Sequence, residues 1–383
     1  MPQRPANRPS LQRVWEAVGA GANPACDVYW WPLRTGTVRG PFPPTKILFA
    51  FRKIAYPILV KSSCLLAAVS VALQTFLHTA PAQSFLPGAR VLLDAHNCYP
   101  YEGLWADRMD RALSTGVPLA IEVDLIWDAT TKLGNPQVVV RHGGKATGDE
   151  PTLEDYFFKK VRPIVEKALQ DANHSQWPLV TLNINDLRAS EPEFFAALWK
   201  LMGTYESWLC TAPKTADIAR QSTLDVKPVL VLTCDGTRPA KVFYDDVAVG
   251  SRLRMFAAGK PDRNGDNFRR WVNYPWSAVE PEGQTQAADW TNDDAARLKS
   301  LVANAHQRGY WIRFYTLNGH GTLDTALRGW TPSYNFGSLE AVTLRWKAAQ
   351  SAGVDFVASD QYEECAKALR HKSAPSGDAG GSK

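Results

Sequence analysis

Leu119-Ala120-Ile121-Glu122-Val123-Asp124-Leu125-Ile126 sets two acidic residues inside an otherwise apolar run. Residues two apart on a β-strand point to the same face, so Glu122 and Asp124 share one. A solvated edge strand would suit the two acids, but Ile121, Val123, Leu125 and Ile126 are too apolar for one. The shared face is therefore expected to be the interior of a barrel. Two carboxylates there would repel, and one would stay protonated unless a cation sat between them. A hard divalent ion, Mg2+ or Ca2+, suits such oxygen ligands.

Outward from this stretch, short apolar runs alternate with longer amphipathic ones from residue 88 onward. Strands are expected over 90–95, 119–126, 137–141, 179–185, 228–233, 252–257, 310–316 and 355–358. Helices are expected over 104–114, 153–169, 192–202, 293–308 and 339–352. Such alternation implies a parallel sheet covered by helices. Eight strands suit a single (β/α)8 TIM-type barrel, of usual size ~250 residues, better than a doubly wound sheet. Gly116, Gly309 and Gly353 each follow a helical stretch, where a left-handed residue ends the last turn. No internal repeat and no coiled-coil heptad is present.

The chain has 383 residues, 45% of them hydrophobic, and 14 Trp, which predicts a substantial core and excludes wholesale disorder. Its formal charge of +5 is unevenly placed, because residues 1–82 hold 9 Lys+Arg against 2 Asp+Glu. From totals of 43 and 38, that leaves 34 against 36, or −2, for residues 83–383. A slightly acidic body has no field for gathering nucleic acid, so nucleic acid is excluded as a partner.

Arg52, Lys53 and Lys61 precede an apolar run from Cys64 to Leu77, and Ala80-Pro81-Ala82 follows. That order predicts a signal peptide over 46–82, cut before Gln83, and a secreted or periplasmic protein. A retained anchor is the alternative, although the run falls short of the ~20 residues that span a bilayer. Residues 1–45, rich in Pro, Gly and Arg, read as an extension ahead of a translation start near Lys46. Residues 83–370 are expected to form the barrel, and 371–383, small and polar, a disordered tail. Cys98, Cys210, Cys234 and Cys365 would survive cleavage, and none has a zinc-binding spacing. Their pairing cannot be read from spacing, and free buried thiols are an equal reading.

Functional groups of a barrel collect at the C-terminal ends of its strands. Polar residues cluster at those places in Asp94-Ala95-His96-Asn97, Glu122-Val123-Asp124, Arg141-His142 and Asn183-Ile184-Asn185. A lone His in an apolar strand is usually a bonded core residue. Two flanking a metal site suggest instead acid–base chemistry near neutral pH. His78, His174, His306, His320 and His371 are assigned no role.

With these motifs, residues 90–365 resemble the phospholipase C-like and glycerophosphodiester phosphodiesterase superfamily of TIM barrels. The order His-Asn, Glu-x-Asp, His and a polar fourth-strand position is similar to phosphoinositide-specific phospholipase C. More closely, it is similar to bacterial and fungal proteins related to the yeast mitochondrial-inheritance phosphodiesterase-like protein. Pro151-Thr152-Leu153-Glu154-Asp155 resembles a Pro-Thr-Leu-Glu-Glu segment of glycerophosphodiesterases. Arg313-Phe314-Tyr315-Thr316-Leu317-Asn318, Gly353-Val354-Asp355 and Ser359-Asp360 are similar to that superfamily's closing motifs.

The resemblance implies in-line attack on a phosphodiester. Glu122, Asp124 and the side-chain oxygen of Asn97 would hold the metal, with Asn183 at the fourth strand. One of His96 and His142 would take a proton from the attacking hydroxyl and the other would donate to the leaving oxygen. Which does which is left open. Arg313 and Arg238, near predicted strand mouths, are candidate phosphate clamps, with a structural ion pair or a solvated face as the other reading. Asn185, where a Lys would lie near the phosphate, and Tyr315 complete the implied substrate-binding set.

Asn183 stands where these families commonly have Glu or Asp, and an amide brings no charge to a metal. Three activities follow as expectations. They are hydrolysis of a glycerophosphodiester or phospholipid-type substrate, cyclisation by an internal hydroxyl, and a weak or inactive barrel that binds a phosphorylated or glycan ligand. The implied partner is a small-molecule or lipid phosphodiester, with peripheral membrane contact possible in the lipid case. Oligomeric state is not legible.

Overall fold

Among the described residues eleven extended segments run in order β1 Leu92–Ala95, β2 Leu119–Asp128, β3 Gln137–Val140, β4 Val180–Leu187, β5 Ala212–Pro213, β6 Val229–Thr233, β7 Arg252–Leu253, β8 Phe256–Ala258, β9 Arg269–Pro275, β10 Trp311–Tyr315 and β11 Phe356–Ser359. The computed structural model describes residues 85–100, 105–130, 134–282, 289–321, 323 and 334–370. The expected extension, signal segment and tail lie outside the described residues.

Eight strands pair in parallel in the order β1-β11-β10-β9-β8-β6-β4-β2, and Asp94 and Ala95 of β1 meet Ala120 and Ile121 of β2 to close the ring. This is the (β/α)8 barrel expected from the alternation. Helices Arg108–Ser114, Lys159–Gln170, Pro192–Thr204, Asn292–Gln307, Leu339–Ala352 and Tyr362–Arg370 occupy the chain between and after its strands. Gly116, Gly309 and Gly353 all take left-handed φ values, of 87, 79 and 80°, as helix ends demand. Cys98, Cys210 and Cys365 are free, buried thiols.

The expected strand set differs from the observed one in four places, the smallest being β5, which no expected strand covers. Residues 137–141 were expected to supply a barrel strand, yet β3 runs antiparallel to the outer end of β2, with Val140 opposite Leu125 and Gln137 opposite Asp128. It is the returning arm of a hairpin. The eighth barrel position belongs instead to β9, whose Arg269, Arg270 and Asn273 interrupt any apolar run. Residues 252–257 divide into β7, which pairs antiparallel with β5, and β8, which joins the barrel.

Candidate active site at the barrel mouth

His96 follows directly on β1, where its backbone N–H donates to Ser359 O at 3.1 Å. Its Nδ1 lies 3.2 Å from Asp360 Oδ2. Asp360 is buried and collects further donors: Asn97 Nδ2 at 3.0 Å, Arg108 Nη1 at 2.8 Å and Asn318 Nδ2 at 2.5 Å. Burial alone would raise its carboxyl, but His96 and Arg108 outweigh burial and hold it well below the usual carboxylate range. Asn97 (φ 52°) and Thr316 (φ 70°) are both left-handed. Asn tolerates that region, whereas a β-branched Thr there is strained. Asp360 Oδ2 and Asn97 Nδ2, the latter at 3.0 Å, both approach Nδ1, so Nε2 turns towards Glu122, with Oε2 at 3.8 Å. Burial would lower the His96 imidazole, but the negative charges of Glu122 and Asp360 prevail and raise it.

The cation demanded by the buried acids is met in part by the chain itself. Arg313, 1% exposed, donates Nε to Asp94 Oδ2 at 2.5 Å, Nη1 to Asn273 Oδ1 at 3.0 Å and Nη2 to Glu122 Oε2. It was expected at a strand mouth as a phosphate clamp. Instead it lies buried, bonded to both acids. Asn183 Nδ2 also donates to Asp94 Oδ2, at 3.0 Å. Asn97 was expected to offer its oxygen to a metal, but Oδ1 accepts from Tyr99 Oη at 2.5 Å.

His142 arrives by the descending arm of the hairpin, because Arg141 N–H still donates to Asp124 O at 3.0 Å. Its Nε2 lies 3.9 Å from Asp124 Oδ2 and 3.1 Å from Arg188 Nη2, and Tyr99 stacks on its ring at 5.7 Å. Burial first, then the Arg188 charge, push the imidazole down to about 4. A register shift in β4 sets Asp186 opposite Asp124, and Asp186 pairs with Arg188 at 2.5 Å. Asp124 is pushed well above the usual carboxylate range, by burial and then by Asp186 and Glu122. The loop beyond His142 is fixed in place: Glu150 accepts from Thr147 N, Gly148 N and Arg141 Nη1. Gly143 has φ 66°, and a Cβ there would stand 3.3 Å from Arg188 Nη1.

The other expected residues divide. Asn185 Oδ1 accepts from Asn273 Nδ2 at 3.3 Å, and the Tyr315 ring lies 6.4 Å from the His96 ring and 5.7 Å from Arg313 Cζ. Arg238 is not brought in, since it sits exposed on the turn Thr237–Ala240 without a bond to any of these groups. Sequence reading gave no role to Asp360, Arg108, Asp186, Arg188 or Tyr99. The Ser359-Asp360 closing was the only available signal for any of them.

Among the described residues no three of His, Cys, Asp and Glu converge in a ready-made metal site. Two of the four expected ligands nonetheless fit one. Asp124 Oδ1 and Asn183 Oδ1 are buried and accept no hydrogen bond among the described residues, and both are hard oxygens.

No family model matches the chain, and no curated protein matches it. Among solved structures it is similar to the phosphatidylinositol-specific phospholipase C of Listeria monocytogenes (12% identity, TM-score 0.44, covering 75% of this chain and 97% of that one). It is also similar to a calcium-dependent phosphoinositol-specific phospholipase C from Pseudomonas sp (14%, 0.40, 74% and 93%). A third is a glycerophosphoryl diester phosphodiesterase from Parabacteroides distasonis (12%, 0.35, 73% and 86%). An endo-β-1,4-glucanase from Bacillus licheniformis aligns as well (11%, 0.35, 76% and 60%). Likeness this distant reaches enzymes of different chemistry.

Proposed function

We propose that this barrel is a phosphodiesterase that cleaves a glycerophosphodiester or phospholipid-type substrate with His96 and His142 as its acid–base pair. One observation carries the reading: two imidazoles in opposite electrostatic settings flank the same buried cluster, His96 at 3.8 Å from Glu122 and His142 at 3.9 Å from Asp124. Asp360 orients His96 and its negative charge stabilises the imidazolium, the arrangement that suits a base which must accept a proton from an attacking hydroxyl. His142 is neutral at rest because burial and Arg188 depress it. An arriving phosphodiester anion offsets the Arg188 charge and raises the proton affinity of His142, which takes up a proton from solvent as the anion binds and then passes it to the leaving oxygen. Arg188, 3.1 Å from His142, would supply positive charge to the phosphate, while Arg313 stays bonded to Asp94, Asn273 and Glu122.

A divalent ion, Mg2+ or Ca2+, would be held by Asp124 and Asn183, with Glu122 shared with Arg313. It would supply charge against a phosphate oxygen in the transition state. Asn97 is left out of this set, because its oxygen is bonded to Tyr99.

Leaving-group dependence tests the roles. With an alkyl leaving group, His96→Ala and His142→Ala should each lose roughly 10²–10⁴-fold in kcat. With a nitrophenolate leaving group, which needs no proton, His142→Ala should recover most of its loss and His96→Ala none. Equal rates in wild type and both variants over several diester classes would refute catalysis.

A further inference from the structure

Resting on that reading of the site, we infer that Asp186 is the fourth-strand carboxylate of its divalent-cation centre, taking the part that Asn183 cannot fill. The geometry begins with a break in register. Glu122 lies opposite Asn183 and Val123 opposite Ile184, but Asp124 lies opposite Asp186, so Asn185 is an extra residue in β4. A β-bulge of this kind re-aims the side chains that follow it. Without it Asn185 would face Asp124, and Asp186 would point the other way. The bulge leaves Asn185 reaching towards Asn273 and turns Asp186 into the mouth, 8% exposed.

Two buried carboxylates are thereby set side by side, a costly arrangement unless a cation lies between them. Arg188 meets Asp186 at 2.5 Å but makes no ion pair with Asp124 among the described residues. Independent of the acidic cluster, Asp124 Oδ1 and Asn183 Oδ1 are fully buried acceptors without a donor among the described residues, and they flank the bulge. Asp124 and Asp186 supply charge and Asn183 a neutral oxygen, a set that suits Ca2+ or Mg2+. The amide at position 183 is then no sign of a lost centre, because the missing charge enters three residues later.

Ca2+ binding to the full chain, followed by calorimetry and by Tb3+ luminescence, tests this without reference to turnover. Wild type should bind one ion at the mouth. Asp186→Asn should weaken binding by at least about tenfold, Asp186→Glu should restore much of it, and Glu150→Gln should leave it unchanged. Melting temperatures in chelator identify any variant that fails to fold, and the near-isosteric Asp186→Asn is chosen to avoid that. Wild-type affinity in folded Asp186→Asn, or no Ca2+ or Mg2+ binding by wild type at millimolar ion, overturns the inference. Hydrolysis with an unaffected Asp186→Asn affinity would sink the ligand and spare the enzyme. A tenfold weakening in a chain that cleaves no diester would do the reverse.

Discussion

Arg313 is the residue on which the centre of the barrel turns. It is fully buried and bonded to Asp94, Asn273 and Glu122. Its removal would leave two carboxylates in an apolar interior, and breaking a buried pair from one side costs about 3–5 kcal/mol. Arg313→Met should therefore lower unfolding stability by that amount in urea titration, while Arg238→Met on the exposed turn should change it by less than about 0.5 kcal/mol. Equal, small effects would mean that the acids are satisfied without the guanidinium. The contrast also shows what could be read beforehand. That the Glu122–Asp124 pair needs a cation follows from spacing and apolar neighbours alone. That β10 supplies a guanidinium does not, since Arg313 and Arg238 look alike in sequence and differ only in which way their strand or turn faces. Asp360 was hidden for the same reason: an acid one residue past a strand acquires a role only when β11 lies beside β1.

Elements were legible where the local signal was complete. Helix Asn292–Gln307 begins on Thr291, whose side chain accepts from Asp294 N, while Asp294 accepts from Thr291 N in return. This capping box is readable from Thr-Asn-Asp-Asp, and helix Leu339–Ala352 likewise has Ser338 before it and Gly353 after it. Burial would raise the Asp294 carboxyl, but its bonds with Thr291 and the charge of Arg297 hold it below the ordinary value. A depressed folded-state pKa contributes stability above the unfolded value of about 3.9 and loses it as pH falls through the folded one. Thr291→Ala should cost about 1 kcal/mol at pH 7, and part of that difference from wild type should vanish in melts near pH 3. A pH-independent difference would count against the Asp294 bond. β9 was illegible because its polar residues are satisfied far away in sequence, Asn273 by Arg313 and Arg270 by Ser222. The hairpin β2–β3 was misread because an apolar run of four residues carries no sign of strand direction.

At the scale of the whole molecule, the alternation of strand and helix gave the barrel, yet one of its crossovers has no helix. Only residues 259–268 join β8 to β9, fewer than the dozen or so that a parallel crossover with a helix needs. Part of the bare flank is covered by the excursion 214–226 between β5 and β6. Asn267, fully buried, is its anchor: Oδ1 accepts from Thr215 N at 3.0 Å, and Nδ2 donates to Pro213 O at 3.2 Å and Ser222 Oγ at 2.8 Å. Arg270 adds Nη2 to Ser222 O at 2.9 Å while lying 4.8 Å from the Phe256 ring. Polar bonds of this kind hold a loop in place but bury little apolar surface, so the excursion should open well before the barrel does. Asn267→Ala leaves buried partners unsatisfied, at about 1–3 kcal/mol. Protease should then nick 214–226 at least about fivefold faster, while kcat on a phosphodiester stays at the wild-type value, because none of these groups touches His96, His142 or Asp124. Cleavage scattered through the barrel strands, or a matching fall in kcat, would show that this flank and the mouth open as one unit.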